Sequence, residues 1–208
     1  QSFPAPLNQL PQEGKFYYYE NRLPDEFRGV YLSYYHKETI KTSAIHGYLN
    51  DPGLLRYSND GYMPVVWWGD MKELNDSSLV AGVYPCFYLS NNGMISKSGV
   101  SFYVSRDKGK HWDILGKIPY EIEEDTNGGL TYDEEKGFSE PAFEILDDGT
   151  YICVLRTGHN TPLYRTFSVD KGRHWSKPEP FTSNGVKPRM TKLDNGVLVL
   201  ASGRPGMQ

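Results

Sequence analysis

The chain has 208 residues, of which 38% are hydrophobic and 14% aromatic, and this size and composition suit one packed, soluble domain. No window is apolar enough to span a membrane, and a net charge of −4 argues against a nucleic-acid or anionic-membrane surface, which needs clustered Lys and Arg. The 21 Gly and 14 Pro, without a helical period of apolar residues, predict an all-β fold of short strands and tight turns.

We expect residues 1–50 to form strands that precede a set of sequence repeats. His46 lies in this region, five residues before Asp51, and is a candidate ligand-binding residue, with a simple loop hydrogen bond as the alternative. The chain begins with Gln rather than Met, which predicts a mature or trimmed N-terminus and a secreted, periplasmic or cell-surface protein.

Three segments share one plan, in which a polar residue and Pro precede an apolar stretch, an Asp-Gly or Asn-Gly turn and a second apolar stretch. Their sequences are "DPGLLRYSNDGYMPVVWW" (51–68), "EPAFEILDDGTYICVLRT" (140–157) and "KPRMTKLDNGVLVLASGR" (187–204). The plan predicts a β-hairpin, with Pro at the start of a strand, where its missing N–H costs least.

A second motif, Ser-x-Asp-x-Gly-x-x-Trp, follows the first two hairpins after one more predicted strand. Its glycine permits the positive φ of a tight turn, its Asp accepts backbone N–H groups of that turn, and its Trp is expected to pack between units. The motif is therefore predicted to stabilise the fold rather than to catalyse. Its residues are Ser105, Asp107, Gly109 and Trp112 in the first copy, and Ser168, Asp170, Gly172 and Trp175 in the second.

A hairpin, a third strand and the turn motif together predict a four-stranded antiparallel meander, and such meanders in series form a β-propeller. The turn motif resembles the Asp box of the sialidase superfamily, and that resemblance implies a propeller with six blades when intact. We expect one partial propeller domain over 1–208, with blades at about 51–120 and 140–182 and an incomplete blade at 187–208. Its expected partner is the missing remainder of the same propeller, because open blade edges invite pairing.

The register of the hairpins separates two faces of the predicted propeller. Glu140 lies eight residues before Asp148 at the turn, and Arg156 lies eight residues after it. The two therefore face each other at the open end of the hairpin, opposite the Asp-box turns, on what we call the mouth face. The same register predicts two mouth-face side chains per repeat, which are Asp51 and Trp68, Glu140 and Arg156, and Lys187 and Arg204.

The segment 69–100 has no counterpart in the second repeat and predicts a long loop on the mouth face. Long loops on a rigid scaffold are commonly binding elements. The aromatic side chains of this loop, which include Tyr84, Phe87 and Tyr88, either stack on a sugar or pack the loop down.

The stretch "SEPAFEILDDGTYICVLRT" is similar to a signature of sialidases across its whole length. That resemblance implies that Glu140 is the carboxylate partner of a tyrosine nucleophile, and that Arg156 is one of three arginines that bind the sugar carboxylate. The nucleophile would lie beyond Gln208, and the nearest counterpart of the first arginine is Arg22 in "NRLPDE". Asp51 is either the acid/base or a turn cap. The other candidate substrate-binding residues are Lys187, Arg204, Trp68 and His46.

Three functions fit these patterns. The first is a sialidase-like glycoside hydrolase that removes a terminal acidic sugar from a glycan. The second is another carbohydrate-active propeller, either a furanosidase-like hydrolase with Asp51 and Glu140 as its two carboxylates or an enzyme active on uronate or rhamnose. The third is a non-catalytic Asp-box propeller that binds glycans.

No cofactor or metal is expected. The acidic segment "EEDTNGG" (123–129) lacks the spacing of a calcium loop. Cys86 and Cys153 are too few for a disulfide framework or a metal knuckle, so we expect two buried free thiols.

Overall fold

The structure is a computed structural model and describes residues 3–8, 14–59, 61–63, 68–121, 137–158 and 161–203. These segments contain fourteen strands and two single-turn 3-10 helices, Glu20–Arg22 and Asp25–Phe27. The strands are β1 (Lys15–Tyr19), β2 (Val30–His36), β3 (Lys41–Asn50), β4 (Leu55–Asn59), β5 (Trp68–Glu73), β6 (Leu79–Cys86), β7 (Gly99–Ser105), β8 (His111–Ile118), β9 (Ser139–Ile145), β10 (Tyr151–Arg156), β11 (Tyr164–Ser168), β12 (Glu179–Pro180), β13 (Val186–Lys192) and β14 (Leu198–Gly203).

Two four-stranded antiparallel meanders and one further hairpin follow each other along the chain. We call β5–β8 blade A, β9–β12 blade B and β13–β14 half-blade C. Strand β9 contacts β5 on one side and β13 on the other, so the first strands of successive units are neighbours, as inner strands are around a propeller axis. The predicted fold class, an all-β propeller of four-stranded blades, is confirmed.

The turn of the hairpin predicted at 51–68 is present, because Asn59 and Tyr62 bridge across it through two backbone hydrogen bonds. Residues 64–67 of its second strand lie outside the described residues, and the hairpin is not the inner hairpin of blade A. Strand β4 pairs with β1, whereas β5 pairs with β6, from Trp68 opposite Tyr84 to Glu73 opposite Leu79. The inner hairpin of blade A therefore turns at 74–78, where Ser77 takes a φ of +64°. A search for Asp-Gly and Asn-Gly turns misses this hairpin because a serine holds the left-handed position. The hairpins β9–β10 and β13–β14 lie where the repeats predict them.

The long loop predicted at 69–100 is wrong for the same reason. This segment contains most of β5, all of β6 and the start of β7, and only 87–98 connects β6 to β7 as a loop, with a bridge between Leu89 and Ile95. Blade A thus spans 68–118 rather than 51–120. Within residues 1–50, β2 and β3 form a hairpin, and β3 runs parallel to β8 and widens the sheet of blade A.

Both Ser-x-Asp-x-Gly-x-x-Trp motifs form the same turn between the third and fourth strands of their blades. In the first copy, Asp107 Oδ1 accepts the backbone N–H of His111, and Ser105 Oγ accepts the backbone N–H of Gly109. The indole of Trp112 donates to the carbonyl of Gly109 at 2.9 Å. The second copy repeats these bonds with Ser168, Asp170, Gly172, His174 and Trp175.

Each of these turns lies directly against a strand of the preceding unit. A Cβ on Gly116 of β8 would lie 2.1 Å from the carbonyl oxygen of Gly172, and one on Gly47 of β3 would lie 2.2 Å from that of Gly109. Only glycine permits this approach, since real Cβ atoms do not come so close to backbone. The turns therefore join neighbouring units, and β3 stands to blade A as β8 stands to blade B.

Among the described residues, one buried cluster draws on both blades A and B and lies between them. The indole of Trp175 from blade B packs against Phe102 of blade A with ring centroids 4.4 Å apart, as expected for a side chain that packs between blades. Cys86 and Cys153 are buried free thiols, which confirms that prediction. No helix in the described part of the chain is long and apolar enough to cross a membrane.

Candidate functional site

Glu140 and Lys187 occupy the same position at the start of β9 and of β13, each directly before a proline. Both adopt a left-handed φ of +48°, which costs a non-glycine residue about 1–2 kcal/mol and persists only where the surroundings enforce it. The Glu140 carboxylate accepts the backbone N–H of Lys187 through Oε2 at 2.7 Å. The mouth-face positions of blade B and half-blade C are therefore linked directly.

Arg156 ends β10 and faces the start of β9, where it pairs with Ser139. Its Nη1 donates to Oε1 of Glu140 at 2.8 Å, and its Nε donates to the carbonyl of Gly158 at 3.1 Å. The side chains of Arg156 and Glu140 are 15% and 11% exposed, so the ion pair is largely withdrawn from water and is screened less than a surface pair. The structure brings these two residues together at the open end of the hairpin, as the register predicts.

Tyr84 holds in blade A the position that Arg156 holds in blade B. Each lies on the second strand, opposite the first residue of the inner strand, Trp68 for Tyr84 and Ser139 for Arg156. Tyr84 is half-buried, and its pKa is raised to about 12, first by burial and then by the negative charge of Glu140, while Arg156 acts in the opposite direction. Tyr84 is therefore a protonated phenol near the Glu140–Arg156 pair at neutral pH.

The sequence predicts Tyr84 in a long mouth-face loop, where its ring either stacks on a sugar or packs the loop down, whereas the structure places it on β6. A spacing signal was nevertheless present. In each unit a leucine closes the inner hairpin by donating its N–H to the carbonyl four residues later. Ten residues after that leucine comes the mouth-face residue of the second strand. The pairs are Leu74 and Tyr84, Leu146 and Arg156, and Leu193 and Gly203.

Three cationic residues, Arg156, Lys187 and Arg189, lie at or near the mouth-face end of β10 and β13. Lys187 is exposed, and Arg189, two residues further along β13, is exposed as well. Arg189 and Arg156 both act on the pKa of Tyr84, so their charges reach the same part of the mouth. A cleft lined by one sign of charge attracts the opposite sign, and this cluster suits an anionic group on a small ligand.

Asp51 is not equivalent to Glu140, contrary to the predicted register, because β4 pairs with β1 outside blade A. Its side chain is 4% exposed, and Oδ2 accepts the hydroxyl groups of Tyr88 at 2.6 Å and of Tyr103 at 2.9 Å. The ammonium of Lys117 lies 3.8 Å from Oδ1, and burial lowers the pKa of that ammonium. Asp51 therefore anchors the β6–β7 loop and β7, and this geometry favours its structural alternative over the acid/base role.

Of the other predicted binding residues, only the side chain of His46 is described, and it does not lie at the mouth. His46 lies on β3, where its ring stacks on Tyr31 at 4.5 Å and its Nε2 donates to the carbonyl of Arg28 at 2.8 Å. Strands β8, β7 and β6 separate β3 from β5, so the expected reach of His46 to the mouth is wrong and its loop hydrogen bond is right. Trp68 begins β5, but its side chain lies outside the described residues, as does Arg204.

Metal ligands are not grouped in the described segments, where no three His, Cys, Asp or Glu side chains lie together. The acidic segment 123–129 lies outside the described residues. The chemistry available at the mouth is therefore that of a carboxylate, a phenol and several cations.

No protein-family model matches the chain, and no curated protein matches it. Among solved structures, the chain is similar to an α-L-arabinofuranosidase from Fusarium graminearum, an ulvan lyase and the NanB sialidase from Streptococcus pneumoniae. The identities are 15%, 14% and 14%, and the TM-scores are 0.51, 0.43 and 0.41. The alignments cover 89%, 89% and 91% of this chain but only 60%, 38% and 34% of those chains. At these identities the similarity shows the fold alone, and the chain spans less than two thirds of each neighbour.

Proposed function

We propose that the protein, in its intact form, is a carbohydrate-active enzyme that hydrolyses a terminal acidic sugar from a glycan, as a sialidase does. The observation that carries this proposal is the Glu140–Arg156 pair on the mouth face, with Nη1 2.8 Å from Oε1. The sequence around the pair resembles a sialidase signature. The arabinofuranosidase that shares the fold acts on a sugar, which supports a glycan ligand by analogy of fold only.

The cations of the mouth provide recognition in this proposal. A guanidinium presents N–H groups in a planar fork that matches a carboxylate, and Arg156 is fixed in place by Glu140 and Gly158. Arg189 and Lys187, both exposed on β13, add positive charge. An acidic sugar therefore gains attraction that a neutral sugar lacks. A secreted, periplasmic or cell-surface location belongs to the same proposal, because such glycans lie outside the cell.

Glu140 is the proposed base. Its carboxylate is oriented by the guanidinium of Arg156 and by the backbone N–H of Lys187 at 2.7 Å. A carboxylate held in this way can accept a proton from a nucleophilic tyrosine, which activates the phenol for attack on the sugar. The tyrosine is proposed to come from the part of the protein beyond Gln208.

The test is turnover of fluorogenic glycosides by the intact protein and by two matched variants. The panel contains a sialoside, a glucuronide and an arabinofuranoside. Glu140→Gln should lower kcat at least about 100-fold while ligand binding persists. Glu144→Gln is the control, since Glu144 lies on the same strand but accepts from Lys72 and from the backbone of Lys192. Turnover of the arabinofuranoside alone would contradict the acidic-sugar proposal.

A glycan-binding module is the second candidate. The observation that favours it is that both carboxylate oxygens of Glu140 are already engaged, one by Arg156 and one by the N–H of Lys187. In that case the wild-type protein binds an acidic sugar without cleaving it. Glu140→Gln then has no turnover to abolish, and any loss of affinity reflects the single acceptor oxygen that the amide keeps for Arg156 or for the Lys187 N–H.

A further inference from the structure

The hydroxyl group of Tyr84 is available to a ligand. Its ring packs against the buried cluster between blades A and B, but within the described residues the hydroxyl has no hydrogen-bond partner. A half-buried phenol usually finds a partner for its O–H. The Tyr84 hydroxyl is therefore a hydrogen-bond donor at the mouth that has no acceptor within the described fold.

Tyr84 and Arg156 are related by the repeat of the blades. The same position in neighbouring blades lies at the same end of the strands, and β6 contacts β9, the strand that pairs with β10. The charges of Glu140 and Arg156 both act on the phenol of Tyr84, which places it within electrostatic reach of the pair. A sugar bound to Arg156 would have this phenol beside it.

We propose that Tyr84 is a substrate-positioning residue, whose hydroxyl donates a hydrogen bond to an oxygen of the acidic sugar that Arg156 binds. This inference rests on the proposed function and adds to it a determinant of specificity from blade A. Tyr84 of blade A would supply a neutral hydrogen-bond donor, and Arg156 of blade B would supply a charged one. It selects a sugar with an acceptor oxygen at this point over an analogue without one.

The protonation state of Tyr84 supports positioning rather than proton transfer. Burial and the charge of Glu140 raise its pKa to about 12, so the phenol keeps its proton at neutral pH and well above it. A proton-transfer group acts best with a pKa near the working pH. The contribution of Tyr84 should therefore be the same at every pH from about 5 to 9.

The test is Tyr84→Phe in the intact protein, with Tyr34→Phe as the control. The hydroxyl of Tyr34 donates to the carbonyl of Lys108 on the opposite face. Tyr84→Phe should raise KM for the sialoside about three- to tenfold, with kcat within about twofold and a ratio to wild type that does not vary with pH. Its thermal midpoint should be unchanged, since no hydrogen bond of the described fold is lost. Tyr34→Phe should leave KM unchanged.

Each other outcome is decisive. An active wild-type protein with an unchanged KM in Tyr84→Phe overturns this inference and leaves the proposed function intact. A large loss of kcat at unchanged KM, or a loss that varies with pH, makes Tyr84 a chemical participant and overturns the positioning role. Calorimetric titration with free sialic acid covers the case without turnover, because weaker binding by Tyr84→Phe alone supports the inference. A wild-type protein that neither cleaves nor binds an acidic sugar overturns both proposals.

Discussion

The backbone N–H of Lys187 donates to the Glu140 carboxylate across 2.7 Å, and both residues hold a φ of +48° in neighbouring units. Because the contact uses only the backbone of Lys187, its side chain is not needed for it. We expect Lys187→Gly to leave the free energy of unfolding unchanged or to raise it by up to about 1 kcal/mol, since glycine relieves the left-handed strain.

Lys187→Pro should have the opposite effect to Lys187→Gly, because proline lacks the N–H that Glu140 accepts and fixes φ near −65°. It should lower the free energy of unfolding by about 3 kcal/mol or more. Urea denaturation of the intact protein measures both variants. A glycine variant less stable than wild type by more than about 1 kcal/mol would show that the Lys187 side chain stabilises the fold.

We expect the buried Asp51 carboxylate to stabilise the folded protein. Asp51→Asn should lower the free energy of unfolding by about 1–3 kcal/mol, because a buried acceptor of two phenol hydroxyls becomes a weaker one and an amide N–H₂ is buried beside it. Asp148→Asn is the control, since Asp148 is exposed and its bond from the Thr150 N–H at 2.9 Å survives in asparagine. That control should change stability by less than about 0.5 kcal/mol. Equal effects of the two variants in urea denaturation would argue against the anchoring role of Asp51.

The sequence predicted those parts of the fold in which glycine marks the turn. The hairpins β9–β10 and β13–β14 contain Gly149 and Gly196 with φ of +84° and +82°, and both were placed correctly. The inner hairpin of blade A has Ser77 in the equivalent place, so the sequence predicted that hairpin in the wrong segment. The predicted position of Asp51 and the predicted loop at 69–100 depended on that hairpin and were wrong as well. The parallel pairing of β3 with β8 joins distant segments and has no local signature.

The residues of the candidate site also differ in how far the sequence could predict their positions. Glu140 and Arg156 belong to one hairpin, so register alone brings them together. Tyr84 comes from another blade, and its place follows only from the correct hairpin of blade A. The partners of Asp51 are 37 and 52 residues away in sequence, and no spacing rule links a carboxylate to phenols at such distances.

Gly116 should be intolerant of any side chain. A Cβ there would lie 2.1 Å from the carbonyl of Gly172, so Gly116→Ala must push blade A away from the turn of blade B. We expect a loss of about 1–3 kcal/mol in the free energy of unfolding. Gly53→Ala is the control, since its Cβ would meet Tyr88 at an ordinary 3.6 Å. Equal stability of the two variants by thermal unfolding would contradict the close approach of turn and strand.

The Asp-box turns should lose stability in acid. The backbone N–H and then the side chain of His111 hold the pKa of Asp107 well below its usual range. A carboxylate with a lowered pKa in the folded state stabilises the fold above its unfolded pKa, near 4, and that contribution fades as the pH falls further. Asp107→Asn should therefore lower the thermal midpoint at pH 7, and the difference from wild type should shrink below pH 4.

Gly116→Ala is a control for this pH dependence, because its defect involves no titrating group and its difference from wild type should be similar at both pH values. A difference for Asp107→Asn that is as large at pH 3 as at pH 7 would mean that the Asp107 charge does not stabilise the turn.

The central claim is that Arg156 binds the acidic group of a sugar on the mouth face. Calorimetric titration of the intact protein with sialic acid and with its neutral methyl ester tests it most directly, in wild type and in Arg156→Lys. Lysine keeps the charge but loses the planar fork, so the affinity for the acid should fall about 10- to 100-fold while that for the ester stays the same. Equal binding of acid and ester by wild type, or an unchanged affinity for the acid in Arg156→Lys, would contradict the claim.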